Sequence, residues 1–291
     1  MDSLHTINNR GHAVYRRGET RNRWRWPAFS TVAACLVYAY LILPSLTVIP
    51  ISFSESFSFS ELSLTLYRRL FESSTWMTAI GNSALVATLA STAAVFAGTP
   101  AAYAFARGRF QGRSLAQLIV VCPLFVPVIV IALGIYFLGA RSGTLGSVGI
   151  LVLAHAMYAM PFVVVMVLSG LRQVNPSLEQ AGYIMGASSL RVFLQVVLPQ
   201  IRISVIAGWL FGFLVSFDEV IIAWFISGPQ TETLPVRMYS SIMWDNTPEI
   251  AAVSTLLTLF SFVICLVMIK VGGVESVHAS GAPHPRRDVR T

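Results

Sequence analysis

Apolar residues in this chain fall in long runs, not in the strict alternation of barrel strands. Six stretches stand out: 29–51, 79–105, 115–140, 148–170, 203–227 and 250–271. A bilayer core of about 30 Å needs ~20 apolar residues per helix, and each run reaches that length. Backbone groups in lipid must be paired within the segment, so the runs are expected to be helices. The expected fold class is an all-α integral membrane protein with six transmembrane helices. The polar positions divide the chain further. Residues 1–28 form an arginine-rich tail, and 29–75 hold the first helix and an outer loop. Residues 76–271 make a membrane core with a long inner loop at 171–202, and 272–291 form a second tail.

Composition supports this reading. The 291 residues are 55% hydrophobic and 11% charged. A soluble domain carries roughly 25% charged residues, so a soluble enzyme and a disordered chain are excluded. The net charge of +7 would suit nucleic acid if it were clustered on one soluble face. It is spread by topology instead. Sixteen of the twenty Arg and Lys residues lie in the two tails, in the second and fourth connections and, for Lys270, at the end of the sixth run beside the second tail. Only Arg68, Arg69, Arg141 and Arg237 lie on the other side. Positive charge accumulates on the cytoplasmic face, so both termini are expected there and no nucleic-acid partner is expected. Trp24 and Trp26, with the arginines before them, suit an anchor at the lipid headgroups.

Rare residues narrow the chemistry. Lys270, the only lysine, lies between Ile269 and Val271. The Gly-Lys-Ser/Thr of a phosphate loop is therefore absent, and any ATP-driven work belongs to a partner. Cys35, Cys122 and Cys265 are scattered in apolar runs. They are read as small buried hydrophobes, not as metal ligands. His155 lies in an apolar run and reads as a hydrogen-bonded packing residue. Gly208 and Gly212 make a Gly-x-x-x-Gly step suited to close helix packing. Pro123, Pro127 and Pro161 imply kinks.

The inner loop is not a polar linker. Asn175-Pro176 suits a helix start, and Ser177 with Gln180 offers an alternative capping box. Leu178, Ala181, Gly182 and Met185 recur at helical spacing. Gly186 supplies a left-handed stop, and a second short helix is expected from Ser188 to Val197, ended by Leu198-Pro199. Such an apolar face suits either a partner's groove or the membrane surface.

The loop resembles the EAA motif of ABC importer permease subunits: Glu-Ala-Ala, three residues, Gly, nine residues, Ile-x-Leu-Pro. The matching positions are Gln180, Ala181, Gly182, Gly186, Val196, Leu198 and Pro199. Gln180, Gly182 and Val196 depart from the pattern, and Glu179 keeps an acidic group one residue earlier. The similarity extends over residues 76–270 and includes Gly98-Thr99-Pro100-Ala101-Ala102-Tyr103 and Arg107. Residues 216–250 resemble the polyamine branch (spermidine and putrescine permeases) through Ser216, Asp218, Glu219, Ser227-Gly228-Pro229, Leu234-Pro235 and Thr247-Pro248-Glu249-Ile250.

The resemblance implies a type I importer permease fold in a bacterial inner membrane. It implies a second permease, identical or paralogous, two ATPase subunits that bind ATP and Mg, and an external solute-binding protein. The permease itself holds no cofactor. Glu179 to Gly186, with Leu198 and Pro199, would couple to the ATPase. Asp218 and Glu219 are the only acids inside an expected span, where a carboxylate costs ~2.5–3.5 kcal/mol on insertion scales. They suit a cationic solute path, with Trp224 as an aromatic partner, or a structural pair at a broken helix. Adjacent residues do not share a helix face, so one of them is expected to face the path. A proton-coupled secondary transporter and an intramembrane enzyme using these acids are the rival readings. Inverted repeats, a metal motif and a nucleophile motif would support them and are absent from the sequence.

Overall fold

The computed structural model describes residues 28–54, 63–245 and 247–279. The tryptophan anchor and the ends of both tails lie outside the described residues. The chain divides into two compact units, Met1–Pro44 and Ser45–Thr291. The first unit holds most of α1 (Ala28–Ser52), an apolar helix with Val32, Leu36, Tyr38 and Tyr40 exposed along it.

The second unit continues with α2 (Thr65–Glu72) and α3 (Ser74–Arg107), then α4 (Arg113–Val121), α5 (Val128–Ser142) and α6 (Val148–Gln173). The loop helices α7 (Pro176–Ile184) and α8 (Ser189–Val192) follow, then α9 (Leu198–Phe217) and α10 (Ile221–Ile226). Last come α11 (Leu234–Ser240) and α12 (Glu249–Ala279). No strand occurs among the described residues.

Apolar side chains on three helices build the centre: α3, α6 and α9 pack together. Ala94, Ala102, Val163, Val167, Leu171 and Ile201 are buried where they meet. Small residues allow this approach. A Cβ at Gly170 would collide with the Ser204 side chain, whose Cβ would be 2.6 Å away, so the α6–α9 seam calls for glycine there. A Cβ added at Gly208 or Gly212 would lie 3.4–3.7 Å from Met166, Val163, Ala159 and Ser91, so both glycines face neighbouring helices, as expected of their spacing.

Two expected spans are broken. The run 115–140 is not one helix: α4 and the turn at Cys122–Leu124 meet α5 at a bend of 100°. Pro123 and Pro127 are the physical reason, since each removes a backbone donor and Pro disfavours helix in the residue before it. The run 203–227 also divides. α9 starts earlier, at Leu198, and stops at Phe217 before α10 begins at Ile221. Nor do Leu198-Pro199 end the second loop helix. Pro199 sits in the first turn of α9, where its missing N–H costs nothing, and a π-turn at Phe193–Val197 carries the chain into it. Among the described residues, four helices are individually long and apolar enough to cross a membrane, and the bent pair makes a fifth if counted as one. The count of six rests on α1 and on that bent pair.

Cys35, Cys122 and Cys265 are exposed, contrary to the expectation of burial. They lie on outer surfaces of apolar segments, where a thiol is as acceptable toward lipid as in a core.

Candidate functional site: the inner loop and the break after α9

At the inner loop, the Asn175 side chain accepts the Ser177 N–H at 3.0 Å, and Pro176 opens α7. Of the two expected caps, Asn175 is the one formed. Gly186 stops the helix at φ +81°, a conformation in which a Cβ is strained. Ser188 then caps α8.

The expected apolar face is divided. Gly182 turns inward, its Cβ position 3.1 Å from Val192. Leu178, Tyr183, Ile184, Met185 and Leu190 are exposed, with Ile184 at 86% and Met185 at 82%. Gln180 and Ala181 are exposed, Leu198 is half-buried and Pro199 is exposed. α7 therefore shows an apolar outer surface and keeps Glu179 and Gly182 inside.

Glu179 is buried and anchored. Its Oε1 lies 2.8 Å from the Arg107 Nε, and its Oε2 accepts the Tyr103 hydroxyl at 2.9 Å. The same guanidinium donates to the Leu171 and Val174 carbonyls, each at 3.1 Å. These carbonyls end α6, where helical partners run out. A guanidinium presents several donors in a fixed plane, so one side chain satisfies three sites. Sequence reasoning noted Arg107 only as part of a resemblance. A signal was present: Glu179 is the only acid between Glu72 and Asp218.

The second site is the break after α9. Glu219 is 8% exposed, and its carboxylate accepts the N–H groups of Ile221, Ile222 and Ala223 at 2.9, 2.8 and 3.2 Å. It caps the first turn of α10 with its own side chain. His155 is fully buried against it. Its Nδ1 lies 2.9 Å from the Ser216 Oγ and 3.1 Å from the Ser216 carbonyl, and its Nε2 lies 4.0 Å from the Glu219 Oε2. This is the hydrogen-bonded packing role expected of it.

Asp218 points elsewhere. It is exposed and lines a cavity of about 560 Å³ with Tyr158, Phe162, Phe211, Phe217 and Ser261. The Phe162 and Phe211 rings stand 5.2 Å apart in its wall. Glu219 also borders this cavity, but its oxygens are engaged by backbone. Trp224 does not join them. It is outside the lining and meets Tyr239 edge-on at 4.9 Å.

Beyond the break, the segment that carries the sequence resemblance acts mostly as scaffold. The Gly146 N–H donates to the Ile226 carbonyl at 2.9 Å, and Thr231 bridges Gly146 and Gly228. On α3, Asn82 donates to the carbonyls of Gln230 and Glu232 at 3.1 and 3.0 Å. Ser83 accepts the Leu234 N–H at 2.7 Å. The loop 227–234 is thus tied to α3 and to the loop before α6.

Comparison with known proteins agrees with this architecture. Residues 93–271 match the family described as binding-protein-dependent transport system inner membrane component. The putrescine transport system permease protein PotI of Escherichia coli (strain K12) is 34% identical over 247 residues, 81% of this chain and 86% of that one. The spermidine/putrescine transport system permease protein PotC of Haemophilus influenzae is 31% identical over 232 residues, 79% of this chain and 90% of its own. Among solved structures, a bacterial ABC transporter involved in the import of alginate matches with a TM-score of 0.69 at 15% identity. That match covers 84% of this chain and 96% of the other and concerns the fold. The chain belongs to the binding-protein-dependent inner-membrane transport family, and it is a permease subunit of an ABC importer, with ATP hydrolysis assigned to a separate subunit.

Proposed function

We propose that this permease passes a polyamine, or a closely related small cationic solute, along a path that includes the Asp218 cavity. The observation that carries the reading is the placement of Asp218: an exposed carboxylate in a cavity of about 560 Å³ walled by Tyr158, Phe162, Phe211 and Phe217. A carboxylate attracts an ammonium group, and aromatic faces add cation–π attraction within about 6 Å. Similarity to putrescine and spermidine/putrescine permeases supports the same solute class. Glu219 serves the helix and Asp218 the solute.

The complex contains a second permease, a pair of ATPase subunits that bind ATP and Mg, and an external solute-binding protein. The exposed side of α7 docks into an ATPase subunit, and both termini lie in the cytoplasm of a six-span chain. ATP binding closes the ATPase pair, the loop helices move, and the cavity opens outward to accept solute.

Asp218→Asn tests the solute reading. Two unit charges 4 Å apart interact by ~4 kcal/mol at an effective dielectric near 20. Solvent in the cavity lowers this to about 1.5 kcal/mol, roughly a tenfold change in affinity. Uptake of labelled putrescine into cells should show a KM raised about tenfold at equal membrane level. An unchanged KM would show that Asp218 lies off the path.

A further inference from the structure

Helix α3 has two polar attachments, one at its last residue and one at Asn82 and Ser83, about two turns inside its start at Ser74. At the first, Arg107 holds Glu179 of α7 and the terminal carbonyls of α6. At the second, Asn82 and Ser83 hold residues 230–234, the segment that follows α10 and the break at Asp218. From Asn82 to Arg107 α3 is continuous helix, ~38 Å long at 1.5 Å per residue, with Pro100 inside it. It packs along α6 and α9 throughout the core.

We infer that α3 is the rod that carries loop movement to the solute side, and that Arg107 and Asn82 are the positioning residues at the two points where it is tied. The inference rests on the reading that α7 meets an ATPase subunit. The apolar surface of α7 faces outward, so a partner can grip Leu178, Tyr183, Ile184 and Met185 without touching Glu179. Glu179 faces inward, and Arg107 is on a helix remote in sequence. Apolar packing resists separation but not sliding, whereas a planar guanidinium bonded to three groups fixes direction as well as distance. A shift of α7 therefore displaces the end of α3. The helix, continuous through Pro100, carries that displacement toward Asn82, which passes it to the 230–232 backbone. That backbone continues from α10, whose first turn is capped by Glu219 beside Asp218.

The test uses the whole importer, purified from membranes through a tag on this chain and placed in liposomes with its solute-binding protein and labelled putrescine. Arg107→Ala and Asn82→Ala each leave the outer side of α7 and the Asp218 cavity intact. Each variant should still copurify with the ATPase, yet uptake per ATP hydrolysed should fall at least tenfold. Arg107→Lys, which reaches Glu179 but lacks the fork for both carbonyls, should fall between wild type and Arg107→Ala. Because the two residues act in series, the double variant should be no worse than the poorer single one.

Normal coupling in either alanine variant overturns the inference, as do losses that multiply in the double variant. Loss of the ATPase from the Arg107→Ala complex also overturns it, because Arg107 would then build the docking surface. A wild-type complex that lacks an ATPase, or moves solute without ATP, would instead defeat the importer reading beneath it.

Discussion

Replacing Glu219 with alanine separates a structural carboxylate from a solute-binding one. The change removes the acceptor of three N–H groups at the start of α10. The bonds to Ile222 and Ala223 are buried, so water does not replace the lost acceptor there. An orphaned buried donor costs ~1–3 kcal/mol, so two of them cost about 2–6 kcal/mol, and the third donor regains some solvent. Taking a carboxylate out of the membrane gives back part of this, since insertion of an acid is unfavourable by ~2.5–3.5 kcal/mol. That relief is small here because three N–H groups already stand in for water. The net loss is about 2–4 kcal/mol. On the scale of a domain of roughly 150–250 residues, this lowers the melting temperature by about 5–15 °C. Glu219→Gln keeps one oxygen as acceptor and loses about 1 kcal/mol. The assay is thermal unfolding of the purified permease in detergent, run beside putrescine uptake at matched membrane level. If Glu219→Ala melts like wild type while uptake is abolished, the carboxylate serves the solute and the capping argument fails.

Three further outcomes are expected. Gly170→Val drives a side chain into Ser204 at the α6–α9 seam, where even a Cβ would collide with the serine side chain. It should destabilise the detergent-purified protein by ~1–3 kcal/mol, read as a lower melting temperature. Deletion of residues 178–186 removes the exposed side of α7, and the tagged permease should then reach the membrane without the ATPase. Stable copurification after that deletion would refute docking through α7. Reporter fusions at residues 60 and 240 should read external and those at 110 and 190 cytoplasmic, and an internal reading at 240 would overturn six spans.

Much of the fold was legible because lipid restricts the choices. A long apolar run has to be a helix, so α3, α6 and α12 stand where hydrophobicity puts them, but α3 runs from Ser74 to Arg107 and α12 continues to Ala279, past the expected end at 271 and into the expected tail. The turn at Gly186 and the start at Asn175-Pro176 were legible because capping is local chemistry. The burial of Glu179 was not, because its partner is remote in the chain: Arg107 lies 72 residues away. Helical periodicity grouped Leu178, Gly182 and Met185, but tertiary contact with Val192 turned Gly182 inward. The loop 227–234 shows the same limit. The residues that mark it as polyamine-like, Gly228 and Leu234 among them, mostly hold the loop to Gly146 and α3.

The two broken spans differ in how far the chain announces them. The bend between α4 and α5 follows from Pro123 and Pro127, which cannot complete a helical ladder. The break after α9 contains neither proline nor glycine, since residues 216–222 read Ser-Phe-Asp-Glu-Val-Ile-Ile. An acidic side chain makes it. Short acceptors near the backbone compete with helical carbonyls for N–H groups, and Glu219 takes three of them. That competition ends one helix, starts the next, and consumes the carboxylate that does it. It also gives the neighbouring acid its direction. On an unbroken helix, Asp218 and Glu219 would diverge by about 100°, with no rule for which faced inward. With the break, Glu219 must stay beside the N–H groups it caps, so Asp218 is the acid left to face the cavity. The helix break and the orientation of Asp218 are one feature, and mutation of Glu219 should disturb both while mutation of Asp218 leaves the break in place.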